Sequence, residues 1–163
     1  NACKAGADLG VWMMNVHASG GSAMMQAAKK AIEPFGADKP LLIAVTVLTS
    51  FSEPDLKEIS VHVPIQDHVK SLALLAKNSG LDGVVCSAHE VSAIKEACSS
   101  SFIAVTPGIR LASNSKDDQN RVMTPAQAIK SGSDYLVVGR PITQASKPAA
   151  IVDDILLDLV EAE

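Results

Sequence analysis

Two short stretches of the chain pair glycine with arginine, Thr106-Pro-Gly-Ile-Arg110 and Gly139-Arg140-Pro141, each directly after an apolar run. Glycine lets backbone N–H groups approach an anion closely, and arginine adds a planar, permanently charged fork that suits phosphate. Read blandly, the arginines are surface residues and the glycines ordinary turns. Two such pairs on consecutive apolar runs weigh against that reading. Residues 111–123 (LASNSKDDQNRVM) follow Arg110 with no apolar period. A polar segment of this length in a compact domain is a functional lid or a solvated loop. Beside Arg110 it reads as a lid over a phosphate, with Gln119 and Arg121 able to reach inward.

Other polar residues follow the earlier apolar runs. His17 ends one of them and leads into Gly20-Gly21. It can be a ligand or base, or a hydrogen-bonded core histidine, and both readings stay open. Thr49 and Ser50 are neutral donors and acceptors that can read a base or carbonyl edge, and they are poor nucleophiles without an adjacent base. The chain has no GxGxxG, no GxxxxGK[ST], no nucleophile elbow and no HExxH. No metal-ligand spacing occurs. The residues alone therefore reach a phosphate-ester binding site, and the reaction stays open.

Bulk properties narrow the class. The net charge of −4 disfavours nucleic acid as the main partner while allowing a local arginine cluster. Cys3, Cys86 and Cys98 are an odd number without CxxC spacing, which fits a reduced, cytoplasmic compartment. No apolar stretch approaches the length of a membrane span. With 163 residues and 47% apolar composition, a single domain over 1–163 can bury a sizeable core.

The elements that must position these residues repeat. Residues 10–18 (GVWMMNVHA), 41–49 (LLIAVTVLT), 83–88 (GVVCSA), 102–106 (FIAVT) and 135–139 (YLVVG) are short and rich in β-branched side chains, as strands buried on both faces are. Amphipathic segments separate them. Ile65, Val69, Leu72, Ala73 and Ala76 mark a helix over about 64–78. Ser87 with Glu90 forms a capping box, Thr124-Pro125 a helix start, and Lys147-Pro148 opens the last helix. Gly6-Ala-Asp8, Gly80-Leu-Asp82 and Gly132-Ser-Asp134 each precede a strand, with glycine expected to end the preceding helix in a left-handed conformation. A parallel sheet follows. Five such units make an open doubly wound sheet or part of a (β/α)8 barrel. Length favours the open sheet. The first residues read like the last turns of a helix and favour a barrel whose first three units lie upstream.

Taken in order, the runs at 15–21, 41–50 (LLIAVTVLTS), 80–88 (GLDGVVCSA), 105–110 (VTPGIR), 118–121 (DQ-x-R) and 137–143 (VVGRPIT) resemble bacterial orotidine 5′-monophosphate decarboxylase. Each run is weak alone; the ordered set spans essentially all 163 residues and is specific. The resemblance implies a phosphate-binding (β/α)8 TIM barrel, of which this chain holds the last five βα units. It implies a lyase of pyrimidine biosynthesis that converts orotidine monophosphate to uridine monophosphate without metal or organic cofactor. Arg140 and the Gly139 backbone would bind the phosphate, Gln119 would close over it, and Arg110 would lie at the corresponding ligand position. Thr49 would hydrogen-bond the pyrimidine, and Pro107 and Ile109, with His17, would form pocket wall.

One departure is serious. The family's catalytic Asp-x-Lys-x-x-Asp array, which stabilises a vinyl carbanion and protonates it from lysine, has no counterpart here and is expected upstream of Asn1. The nearest look-alike, Asp55-Leu-Lys57-Glu-Ile-Ser60, falls in the loop after the second strand and has serine where the second aspartate belongs. A homodimer is implied as well. Two alternatives remain at this level: another phosphate-binding barrel enzyme such as a sugar-phosphate decarboxylase or isomerase, or a non-catalytic nucleotide-binding module.

Overall fold

The computed structural model describes residues 1–111 and 123–160. Five strands, β1 (Met13–His17), β2 (Leu41–Val45), β3 (Gly83–Val85), β4 (Ile103–Thr106) and β5 (Tyr135–Leu136), fall inside the five apolar runs. The helices are α1 (Ala2–Asp8), α2 (Gly21–Ile32), α3 (Glu53–Glu58), α4 (Ile65–Asn78), α5 (Val91–Ala97), α6 (Pro125–Lys130), α7 (Arg140–Thr143) and α8 (Pro148–Val160). The strands are all parallel and lie side by side in chain order. One register line runs through His17, Val45, Val85, Val105 and Tyr135. A doubly wound sheet must reverse its strand order at a switch point. This sheet does not reverse, so it is an arc of a (β/α)8 barrel.

The core confirms the sidedness. Leu42, Ala44, Val84 and Ala104 point to one face and pack against Met25, Ile32, Val69, Leu72, Ala76 and Ile94 from α2, α4 and α5. Strand residues alternate sides. Asn15, Ile43, Val85 and Val105 therefore face the concave side. A separate small cluster joins Ala88, Ile109 and Ala128, with Met123, Leu136 and Val138 packed against it.

Two of the three Gly-x-Asp copies act as one device. Gly80 and Gly132 hold φ of 82° and 98°, a left-handed conformation that ends α4 and α6. The aspartate two residues later fastens the neighbouring strand. Asp82 accepts from the Leu42 amide at 2.8 Å and from Lys29 at 2.8 Å; Asp134 accepts from the Ala104 amide at 2.7 Å and from Lys95 at 2.7 Å. The third copy differs from expectation. Gly6-Ala-Asp8 lies inside α1, where Asp8 pairs with Lys4 one turn back. Gly10, with φ 73°, makes the turn instead. Each of the three helices ends the same distance before its strand, so Gly10 occupies the place of Gly80 and Gly132, and the Gly6-Ala-Asp8 letters fall one turn too early, inside the helix.

The expected caps are present. Ser87 Oγ accepts from the His89 amide while Glu90 accepts from the Ser87 amide. Thr124 and Gln127 exchange the corresponding pair at 3.2 Å each. The segment after β2 is not the plain loop expected there: Ser52 caps α3, with Asp55 accepting from the Ser52 amide at 2.7 Å and from its hydroxyl at 2.6 Å.

Candidate functional site

The C-terminal ends of β4 and β5 diverge around an open cavity of about 200 Å³. Pro107, Gly108, Ile109 and Arg110 line one side, and Val137, Gly139 and Arg140 the other. The two sides are tied at their base. Val137 N donates to Thr106 O at 2.9 Å, and Thr106 Oγ1 donates to Tyr135 O at 3.3 Å.

The backbone shapes the first side. Gly108 holds φ 80°, which turns the chain so that Arg110 follows on the cavity rim. Arg110 N donates to Met123 O at 3.1 Å, and Met123 N to Gly108 O at 3.4 Å. This pairing makes a single parallel bridge between Ile109 and Met123. Ile109 borders the cavity, yet it is 1% exposed and packs into the small cluster.

On the second side, Gly139 caps the short helix α7, whose first residue is Arg140 and whose second is proline. Gly139 O accepts from Ile142 N at 2.9 Å and Thr143 N at 3.1 Å, which turns the chain sharply at the cavity edge. Among the described residues, a Cβ placed on Gly139 would meet no atom within 4 Å, so the space beside its backbone is open. Among the described residues the lining holds two arginines and no acidic residue. Such a lining attracts an anion and offers it both charge and backbone amides.

Five of the residues singled out from sequence therefore converge here: Pro107, Ile109, Arg110, Gly139 and Arg140. Val137 was not foreseen. It is 48% exposed on β5's extension, on the side opposite the partly buried Val138. His17 and Thr49 share the same end of the sheet without lining this cavity. His17 ends β1 and is exposed. Thr49 is buried in the loop after β2, near Thr46, whose hydroxyl donates to Val85 O at 2.9 Å. Gln119, with most of the expected lid, lies outside the described residues.

Asp55 is explained by its cap. Hydrogen bonds from the Ser52 hydroxyl and amide hold its carboxyl below the ordinary carboxylate range. The Asp55 carboxylate is thus engaged in capping α3. Among the described residues no three or more His, Cys, Asp or Glu side chains gather as a metal site would require.

Comparison with known proteins places this geometry. A family profile described as "Orotidine 5'-phosphate decarboxylase / HUMPS family" matches residues 1–155. The chain is 60% identical over 158 residues to an orotidine 5'-phosphate decarboxylase of Legionella pneumophila (strain Corby), covering 97% of this chain and 69% of that protein. It is 58% identical over 159 residues to the one from Vibrio cholerae (strain ATCC 39541), again covering 69% of the relative. The crystal structure of orotidine 5'-phosphate decarboxylase from Lactobacillus acidophilus superposes with a TM-score of 0.82 at 43% identity, over 98% of this chain and 68% of that one.

Proposed function

The chain belongs to the orotidine 5'-phosphate decarboxylase / HUMPS family, and on that premise we propose that it serves the decarboxylation of orotidine 5′-phosphate to uridine 5′-phosphate, supplying phosphate and base binding. The observation that carries the proposal is the cavity between β4 and β5, with two arginines in its lining and the open backbone at Gly139. Arg140 and the Gly139 backbone hold the phosphate, and Arg110 reaches it from the opposite rim. Thr49 offers its hydroxyl to the pyrimidine from the loop after β2, with Pro107 and His17 forming pocket wall nearer the ring.

The division of labour follows from where these groups lie. Loss of carbon dioxide leaves an electron pair on the pyrimidine carbon, which then takes up a proton. The proposal assigns the lysine and aspartate groups for that step to the part of the relatives' length beyond the 69% that this chain spans. Phosphate lies far from the reacting carbon, and binding energy gained there can be used to lower the barrier at the carbon. The same reading makes the working protein a cytoplasmic homodimer. No helix among the described residues is long and apolar enough to cross a membrane.

A titration tests the assignment. In the complete protein, Arg140→Ala should weaken uridine 5′-phosphate binding by roughly 2–4 kcal/mol, as loss of a charge-assisted pair does. Unchanged affinity would remove the phosphate from this cavity.

A further inference from the structure

We infer that Met123 is a positioning residue for the phosphate site: it holds the Gly108–Arg110 strip against the small hydrophobic cluster that also seats the Gly139-Arg140 turn. The inference rests on the phosphate reading above.

The small cluster lies beneath both loops. Ile109 enters it from one side of the cavity and Val138 packs against it from the other. Each is flanked by cavity residues: Gly108 and Arg110 beside Ile109, Val137 and Gly139 beside Val138. Gly108 turns the chain ahead of Ile109 and Gly139 turns it after Val138, so anchoring Ile109 and Val138 fixes the backbone from which Arg110 and Arg140 leave beside the cavity, and one cluster holds both loops.

Met123 is the fastener on the β4 side. Its carbonyl accepts from Arg110 N and its amide donates to Gly108 O, so it grips the strip on both sides of Ile109. Its side chain packs on the same cluster, and Ser131 Oγ donates to its sulfur at 3.8 Å. The next residue, Thr124, caps α6, and the Ala126 amide of α6 donates to Asp158 of α8 at 2.8 Å. Helix α8 packs against α7, which begins at Arg140. The two arginines are thus joined by a closed mechanical circuit, and Met123 is its link to Arg110.

The test separates positioning from general packing by comparing ligands with and without phosphate. In the complete protein, Met123→Ala should weaken uridine 5′-phosphate and inorganic phosphate by roughly tenfold or more, as small misplacement of binding groups does. Uridine affinity should stay unchanged, and Met123→Leu, which refills the space, should restore phosphate binding. A folded alanine variant with unchanged phosphate affinity, or with equal losses for nucleotide and nucleoside, overturns the inference. If the alanine variant does not fold, Ile109→Val removes one methylene from the same cluster and must show the same selective loss in smaller measure. Arg140→Ala distinguishes the two levels. If it weakens nucleotide binding while Met123→Ala and Ile109→Val do not, only the positioning role fails. If Arg140→Ala also has no effect, the phosphate reading itself fails.

Discussion

The rings of Trp12 and Tyr135 meet edge to face, 5.0 Å between centroids and 76° apart, although they belong to opposite borders of the sheet. Trp12 directly precedes β1 and Tyr135 opens β5. Laid flat, five strands would set those borders roughly 19 Å apart at the usual strand spacing. Only a strongly curved sheet brings two side chains across that gap, so the contact measures the arc's closure.

The pair should be energetically coupled. A double-mutant cycle with Trp12→Ala and Tyr135→Ala should return about 0.5–1.5 kcal/mol of interaction, the range for aromatic pairs. Urea unfolding of the four variants measures it. Strictly additive losses would mean the rings do not meet in solution.

The Gly-x-Asp device predicts unequal effects for two partners in one ion pair. Asp134 serves both the Ala104 amide and Lys95. Asp134→Ala leaves a strand amide without its acceptor and should cost about 1–3 kcal/mol. Lys95→Ala removes the partly exposed ion pair and a bond to the exposed Ser100 carbonyl, and should cost under about 1 kcal/mol. Equal losses in thermal melts would show that the ion pair, and not the amide, matters.

Acid should act on α3. Because Ser52 lowers the Asp55 pKa below its ordinary 3.8, the carboxylate's contribution to stability is fully present above that value. It is lost as pH falls through the lower folded-state value. Asp55→Asn should therefore melt below the parent at about pH 7, with the gap closing toward about pH 3. A gap that stayed constant over that range would mean that the charge on Asp55 plays no part.

Gly139 should separate binding from folding. Gly139→Ala puts a methyl group into space that no atom of the described residues occupies. Its melting temperature should match the parent's, while uridine 5′-phosphate binds roughly tenfold or more weakly because the methyl group stands where the anion approaches the backbone. Unaltered binding would place the anion elsewhere in the cavity.

Much of this was legible from residue order. The uninterrupted β-branched runs located five strands, and the Ser87/Glu90 and Thr124/Gln127 spacings located two helix starts, because these signals are local. Burial on both faces holds only for β2, β3 and β4, since β1 and β5 border the sheet and hold no buried residue. The Gly/Arg pairs were legible because each glycine and its arginine lie within a few residues of one another. What sequence missed was relational. Gly6-Ala-Asp8 carries the letters of the strand-fastening motif without its distance to the strand, and only Gly10's turn shows where α1 ends. Ser52, Pro54 and Asp55 carry a local helix-start signal of the same kind, which the loop expected after β2 overlooked. Met123's two-sided grip on Ile109 spans residues that no local pattern connects.

Apart from Ala88 of the small cluster, the parts of the anion grip, from Val105 through the two loops, α6 and α8 to Asp158, form one uninterrupted stretch of chain. Such a stretch can be inherited as a unit. A single recombination event ahead of β4 would move both arginines and most of their framework onto a barrel whose remaining strands perform different chemistry, with a small side chain at the place of Ala88 as the one requirement left to the new host.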